Sequence, residues 1–115
     1  MLSFLYRFHG HGSLRYVYKN GQTVRSRLLT VKYTVNPHRK HSRFAVVVSK
    51  KVHKGAVGRN RIRRRIYEIL RQEIPHMAKP HDIAIIVVSS EVLHMPAEEL
   101  GATVTQLLQQ ANIYK

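Results

Sequence analysis

The sequence contains no cysteine, and its acidic residues are few and confined to one part of the chain. The lack of cysteine excludes disulfide scaffolds, thiolate nucleophiles and cysteine-based zinc sites, and it fits a reducing compartment. The longest apolar run covers residues 83–88, whereas a bilayer crossing requires about 20 residues. The apolar start at 1–8 has neither a basic leading region nor a cleavage site, so we expect no signal peptide and a cytoplasmic protein.

Charge is distributed very unevenly along the chain. The 20 Lys and Arg exceed the 6 Asp and Glu, and the formal net charge is +14. Residues 1–67 contain 17 of the basic residues and no acid, whereas residues 68–115 contain three basic residues and all six acids. In the folded chain these positive charges repel one another. Binding to a polyanion usually offsets that repulsion, and nucleic acid is the partner we expect first. A solvated surface that only aids solubility is the alternative, but scattered surface charge would include acids.

Three segments show the 3.6-residue periodicity of amphipathic helices. Ser13 is placed to cap the first helix, and Asn20 with Gly21 terminates it. The second is the longest and ends at Pro75, while the third begins at Pro96. The predicted buried stripes are Ile62, Ile66, Ile69, Leu70 and Ile74 in the second helix and Leu100, Val104, Leu107, Leu108 and Ala111 in the third.

Strand patterns fill most of the remaining sequence. Residues 28–36 alternate between apolar and polar side chains, which is typical of a half-buried strand whose second face is polar and open. The β-branched runs 44–49 and 82–89 predict central strands buried on both faces, and residues 37–42 predict a hairpin loop. With a short strand at 22–26, the order becomes α-β-β-β-α-β-α, an α+β two-layer sandwich that forms one domain over the whole chain, because 115 residues leave no room for a second.

The segment from Ser49 to Tyr67 concentrates the chemistry. It leaves a strand and enters the long helix, and five arginines occupy the seven positions from Arg59 to Arg65. At about 100° per residue, two cationic ridges flank the apolar stripe. Arg59 and Arg63 fall within the apolar arc, so we expect the first turns to project past the sheet, where their guanidinium groups reach solvent or a ligand. Guanidinium forks and the free N–H groups of a helix start match phosphate oxygens, and we interpret this segment as a phosphate-backbone surface.

These motifs resemble those of a known family. The residues from Ala56 to Glu68, preceded by Ser49, Lys50 and Lys51 at a strand end, are similar to the signature of the bacterial ribonuclease P protein subunit. A small first helix, a strand after an arginine, an apolar fourth strand and a closing amphipathic helix follow in the same order. The resemblance therefore covers nearly the whole chain.

The resemblance implies a two-layer α/β sandwich of the ribosomal protein S5 domain 2-like type, with a left-handed βαβ crossover at the long helix against the general right-handed preference. It implies the non-catalytic protein subunit of ribonuclease P, an endoribonuclease whose RNA subunit hydrolyses a phosphodiester with Mg²⁺ to release the 5′ leader of precursor tRNA. The implied partners are the ribonuclease P RNA, at 1:1, and precursor tRNA, with no membrane. The resemblance gives the protein alone no tightly bound cofactor or metal and no catalytic residue.

Two sets of binding residues follow from the resemblance and the charge. A single-stranded leader needs a basic groove with aromatic faces, which the first helix and the open sheet face would form. Leu14 stands where a second aromatic residue is expected, Lys32 stands where a tyrosine is expected, and residues 1–6 are apolar instead of basic. The candidates for the RNA subunit are Ser49, Lys50, Lys51, Arg59, Asn60, Arg61, Arg63, Arg64 and Arg65, and those for the leader of precursor tRNA are Tyr16, Tyr18 and Lys32.

Other interpretations remain open at this point. A ribosomal or nucleoid protein would share the basic faces, whereas a protein nuclease would need catalytic groups, and no carboxylate pair or Ser/His/Asp set is spaced for catalysis. Asp82 is interpreted as a residue at a strand start, and Tyr33 as core. The two histidine pairs are His9 with His11 and His38 with His41, and because neither has a cysteine or a nearby carboxylate, phosphate contact at lower pH is favoured over zinc binding.

Overall fold

The protein is described here by a computed structural model of residues 11–36 and 41–114. Predictions that concern residues 1–10 and 37–40, or the side chain of His11, lie outside this part of the chain. The described residues follow the predicted order of elements. The helices are α1 (His11–Asn20), α2 (Ala56–Glu73) and α3 (Ala97–Gln110), the strands are β1 (Gln22–Arg25), β2 (Leu29–Val35), β3 (Arg43–Val47) and β4 (His81–Val87), and short 3₁₀ turns cover Ile74–His76 and Ser90–Leu93.

The four strands form one mixed sheet in the order β1-β2-β4-β3, in which only β3 and β4 are parallel. The α+β class and the mixed topology confirm the predicted fold. Two details of the prediction are wrong: β3 lies at an edge of the described sheet, and residues 37–42 do not close a hairpin because β4 separates β2 from β3. The most continuously apolar strand, β4, takes the central place, where its faces and both its edges are covered.

The crossover from β3 to its parallel neighbour β4 runs through α2, as predicted. The hand of this crossover stays a prediction from the resemblance. Pro75 follows the last turn of α2 and lies in a 3₁₀ turn, which confirms the predicted helix end. Among the described residues, no helix combines the length and the apolar composition that crossing a bilayer requires.

One face of the sheet carries the main core. The register places Val31 opposite Ile85 and Phe44 opposite Ile83, and the predicted stripes of α2 and α3 contribute to the same cluster. Tyr67 was missed as a core residue: it is buried, and its hydroxyl oxygen accepts a hydrogen bond from the backbone N–H of Val46 at 3.2 Å. This bond ties α2 to the edge strand β3.

The second face of the sheet is polar on β2 and is partly covered by α1. Val17 and Ala84 are buried but lie apart from the main core cluster, and α1 contacts both β2 and β4. The prediction of a wholly open second face is therefore wrong, because the apolar side of α1 needs a surface to pack on. The helix also begins before Ser13, so this residue lies inside the first turn and is not its cap.

A close approach of backbones explains the glycine after α1. Gly21 donates its N–H to the carbonyl oxygen of Val17 at 2.8 Å. A β-carbon at position 21 would lie 2.5 Å from that oxygen and 3.0 Å from the carbonyl oxygen of Tyr33. The chain can therefore pass from α1 into β1 at this point only without a side chain.

Candidate nucleic-acid interface

The first half of α2 presents an exposed basic ridge. Asn60, Arg61 and Arg64 are exposed, and their spacing of three or four residues places Asn60 and Arg64 on one line of the helix with Arg61 beside them. Among the described residues, none of the five arginines from Arg59 to Arg65 pairs with a carboxylate. The ion pairs in this part of the chain are Arg27–Glu91, Arg43–Asp82 and Arg71–Glu68.

Two arginines of this helix, Arg59 and Arg63, bond to residues that are close to them in the sequence. Arg59 Nη1 donates to the carbonyl oxygens of His53 and Lys54 at 3.0 and 2.7 Å, and Arg63 Nη2 donates to Asn60 Oδ1. Both arginines are only partly exposed. The Arg59 bonds fasten the loop before α2 to the first turn of the helix, and this loop follows the exposed Ser49, Lys50 and Lys51.

His53 closes the same loop from the other side. Its Nδ1 accepts the N–H of Gly55 at 3.2 Å. A β-carbon on Gly58 would lie 2.1 Å from His53 Cε1, so the imidazole lies directly against that glycine. The sequence patterns do not predict this contact. The indication they offer is Gly58 itself, because a glycine in the first turn of a helix costs roughly 1 kcal/mol relative to alanine and therefore needs a reason.

Arg65 bonds to a distant part of the chain. Its Nη1 donates to the carbonyl oxygens of Val92 and Leu93 at 2.6 and 2.8 Å, and its Nη2 donates to that of Met95. The guanidinium group thus anchors the segment that leads into α3. Within the described residues, Arg61 and Arg64 are the arginines of this stretch whose side chains are exposed and make no hydrogen bond.

The leader candidates lie on α1 and on the second face of the sheet. Lys32 alternates with the core residues of β2, and its Nζ donates to Thr23 Oγ1 at 3.4 Å across the β1–β2 pair. Tyr16 and Tyr18 flank the buried Val17 on opposite sides, about 200° apart around the helix axis. Tyr16 is 60% exposed and Tyr18 38%, and partial burial raises the pKa of the Tyr18 hydroxyl above its ordinary value.

The single tyrosine of β2, Tyr33, belongs to the core, as predicted. Tyr33 is partly buried against the main cluster, and its hydroxyl donates to Gln22 Oε1 at 3.0 Å. It supports the end of the sheet that α1 leads into.

Asp82 has a structural position, as the sequence analysis expected. It lies near the start of β4, where Arg43 Nε and Nη2 donate to its two carboxylate oxygens at 2.9 and 2.8 Å. Asn36 Nδ2 adds a third bond at 2.9 Å. Among the described residues, no three His, Asp or Glu side chains are grouped so that they could hold a metal ion.

Comparison with known proteins gives one consistent result. The model of the family described as "Ribonuclease P" matches residues 3–112. The chain is 36% identical over 107 residues to the ribonuclease P protein component of Chloroflexus aurantiacus (strain J-10-fl), a match that covers 92% of this chain and 77% of the relative. It is 33% identical over 108 residues to that of Roseiflexus castenholzii, which covers 94% and 87%.

Solved structures are similar over nearly the whole fold. The RNase P protein of Staphylococcus aureus superposes with a TM-score of 0.85 at 27% identity, covering 96% of this chain and 98% of that one. The RNase P protein of Thermotoga maritima has the same fold, with a TM-score of 0.81 and coverage of 90% and 96% at 23% identity.

Proposed function

The chain belongs to the bacterial ribonuclease P protein family, and from this premise we propose that α2 binds the ribonuclease P RNA while α1 and the second sheet face bind the leader of precursor tRNA. The protein is the subunit of a ribonucleoprotein endoribonuclease of tRNA processing, which implies association with the ribonuclease P RNA. The proposal adds which surface serves which RNA.

The observation that carries the proposal is the unpaired charge of Arg61 and Arg64. Among the described residues, these two exposed guanidinium groups have no carboxylate beside them, so their donors stay available for phosphate oxygens, which they match bidentately. The preceding segment adds the exposed Ser49, Lys50 and Lys51 to the same surface. Arg59, Asn60 and Arg63 hold this surface in shape and reach the RNA with their remaining donors, and Arg65 contributes by anchoring α2 to the segment before α3.

The leader path uses one side of α1. A single strand that follows one flank of the helix meets Tyr16 or Tyr18 but not both, since they point about 200° apart. We assign the contact to Tyr18, because its ring is partly packed and therefore costs less entropy to hold in place than the more exposed Tyr16. Lys32 supplies the positive charge on the sheet.

The chemistry is assigned to the RNA subunit, which hydrolyses the phosphodiester with Mg²⁺. This chain's own residues neutralise phosphates where the RNA subunit and the leader meet. That neutralisation tightens substrate binding and lowers the Mg²⁺ concentration that the reaction needs. The complex is proposed to contain one protein per RNA subunit and to act in the cytoplasm.

Reconstitution tests the proposal. Added to a bacterial ribonuclease P RNA at low Mg²⁺, the protein should restore cleavage of precursor tRNA, and log affinity should fall against log salt by roughly 0.7 per single-strand phosphate contact. A ribosomal or nucleoid protein would not restore cleavage, and cleavage by the protein without RNA would indicate a protein nuclease. A flat response of the affinity to salt would contradict the electrostatic role.

A further inference from the structure

An apolar groove runs between α2 and α3. Its larger part has a volume of about 620 Å³, which is in the range of ligand-binding pockets. A second cavity of about 530 Å³ adjoins it, because Glu73 and Thr105 line both. The wall residues on α3 extend from Ala97 to Gln109, so at about 1.5 Å per residue the groove is roughly 18 Å long. It is therefore an elongated groove about three helical turns in length, and not a compact pocket.

The floor of the groove is apolar and incompletely covered. Leu100 belongs to the main core, whereas Ile69, part of the predicted buried stripe of α2, is only partly buried where it lines the groove. Ala97, Gly101 and Thr105 occupy every fourth position of α3 and turn small side chains toward the same space. An occupant of the groove would complete the burial of Ile69 and can come close to the backbone of α3.

Packing within the described residues does not explain Gly101. A β-carbon built at this position has no atom of another element within 4 Å among those residues. Glycine is the poorest helix former after proline, so it weakens the interior of α3. At Gly21 and Gly58, by contrast, the chain itself occupies the space that a β-carbon would need. A helix position without a side chain suits the close approach of another molecule.

The rim of the groove is acidic, although the chain as a whole is strongly basic. The walls of the larger cavity contain one arginine and three glutamates, which gives a net charge of −2, whereas the chain carries +14. The glutamates are Glu68, Glu73 and Glu98, half of the six acids of the chain. Arg71 balances Glu68, but Glu73 and Glu98 form no ion pair among the described residues. The groove therefore disfavours phosphates and attracts cationic groups.

We propose that this groove docks a basic amphipathic helix of a partner protein. The apolar face of such a helix lies on Ile69 and on the small residues of α3, and the lysines and arginines that flank this face reach the glutamates. RNA does not match the groove, because its phosphates would meet carboxylates. A second copy of this chain does not match it either, since two chains of +14 repel each other.

A designed peptide tests the chemistry of the groove with the full chain. The probe is a helical peptide with a leucine face flanked by lysines, and the comparison peptide carries glutamate in place of every lysine. We expect the lysine peptide to bind and to shift the NMR amide signals of the second half of α2 and the first half of α3. The glutamate peptide should leave these signals unchanged.

Two substitutions separate docking from folding. Gly101→Gln puts a side chain into the groove, so affinity for the lysine peptide should fall roughly tenfold or more. The midpoint of urea unfolding should rise in the same variant, because glutamine is a better helix former than glycine. Glu98→Gln should weaken peptide binding roughly two- to fivefold. Its matched control is Glu99→Gln, which removes the same charge from the same helical turn but does not line the groove.

The remaining outcomes decide between this occupant and others. Equal affinity for the two peptides, or unchanged affinity in Gly101→Gln, overturns the proposal. Self-association of the chain without peptide that Gly101→Gln abolishes also overturns it, because the groove then holds a second copy. Weaker binding of the ribonuclease P RNA by Gly101→Gln overturns it as well, whereas unchanged RNA binding with lost peptide binding supports it. The RNA assignments are tested separately with Arg61→Ala/Arg64→Ala, so either proposal can fail without the other.

Discussion

The imidazole of His53 lies against the α-carbon of Gly58, five residues further along the chain, and no larger residue fits beneath it. A β-carbon at position 58 would lie 2.1, 2.6 and 2.6 Å from Cε1, Nδ1 and Nε2 of the ring. The same loop is held by Arg59 through two backbone carbonyls. The loop before α2 is therefore fixed to the helix by two side chains, and it leads into the proposed RNA-binding surface already ordered.

The contact predicts an interaction energy between positions 53 and 58. In an otherwise wild-type chain, Gly58→Ala must displace the imidazole, and this cost offsets the gain in helix propensity. With His53→Ala already present, the same change should stabilise the protein by about 1 kcal/mol. Urea unfolding of the four variants measures the cycle. Additive effects of the two substitutions would show that the ring does not occupy this position.

We expect some arginines of α2 to bind RNA and others to stabilise the fold. The double variant Arg61→Ala/Arg64→Ala should weaken binding of the ribonuclease P RNA and lower the salt slope by about one to two phosphate contacts, with little change in the free energy of unfolding. Arg71→Ala is the matched control, since Glu68 already balances that charge through a 2.9 Å ion pair. Filter binding at several salt concentrations measures the slope, and a loss of fold in the double variant would contradict the division.

Arg65 is one of the arginines that we expect to stabilise the fold. Arg65→Ala removes a charged fork from three backbone carbonyls, so we expect the free energy of unfolding to fall by about 2 kcal/mol. The remaining folded protein should bind the RNA better than Arg61→Ala/Arg64→Ala does. An unchanged midpoint of urea unfolding, with RNA affinity lost, would instead make Arg65 a direct contact.

The exposed arginines of α2 could be predicted from the sequence, whereas the partners of Arg65 could not. The stripe of Ile62 and Ile66 repeats at the period of a helix, so the exposure of Arg61 and Arg64 follows from spacing alone. The partners of Arg65 are about 30 residues away, and no local pattern encodes them. For the same reason the edge position of β3 was not predicted. The order of strands depends on which strand buries the most apolar surface, and this is a property of the whole sheet.

The two tyrosines of α1 should differ in their effect on the leader. Tyr18→Ala should weaken binding of precursor tRNA by roughly tenfold while leaving mature tRNA unaffected, because base stacking on one aromatic ring contributes about 1–3 kcal/mol. Tyr16→Ala, on the opposite flank, is the matched control. Competition binding with precursor and mature tRNA measures both. Equal losses for the two tRNAs would remove Tyr18 from the leader path, and the reverse ranking of the variants would move the path to the other flank.

The buried ion pair between Arg43 of β3 and Asp82 of β4 should matter for stability because removing one member leaves the other charge buried. Arg43 and Asp82 are each 6% exposed at the side chain, and Arg43→Ala leaves a buried carboxylate whose remaining side-chain partner among the described residues is the Asn36 amide. We expect a loss of about 3–5 kcal/mol, and a smaller loss when Asp82→Ala is combined with it. Arg27→Ala breaks an exposed pair and should cost less than about 1 kcal/mol. Urea unfolding of all variants measures the differences, and equal costs at the two sites would contradict the burial argument.

The hydroxyl of Tyr114 should make the protein sensitive to alkaline pH. The hydroxyl oxygen is buried, and burial, followed by the nearby carboxylate of Glu73, raises its pKa. The native state then keeps this proton at a pH where the unfolded chain, with an ordinary value near 10, has lost it. Because the native state binds more protons in that range, the free energy of unfolding falls as pH rises above about 10.

The variant Tyr114→Phe removes this titration, so its free energy of unfolding should fall less steeply above pH ~10 than that of the wild type. Below about pH 10 the Tyr114 hydroxyl is protonated in both the native and the unfolded wild type, so the curves of the wild type and the variant should run parallel there. Tyr18, whose pKa is also raised by burial, is present in both proteins and cancels in the comparison. Urea unfolding from about pH 8 to 11 measures the two slopes, with the exposed Tyr16→Phe as control. Parallel curves over the whole range would mean that the Tyr114 hydroxyl reaches solvent in the native state.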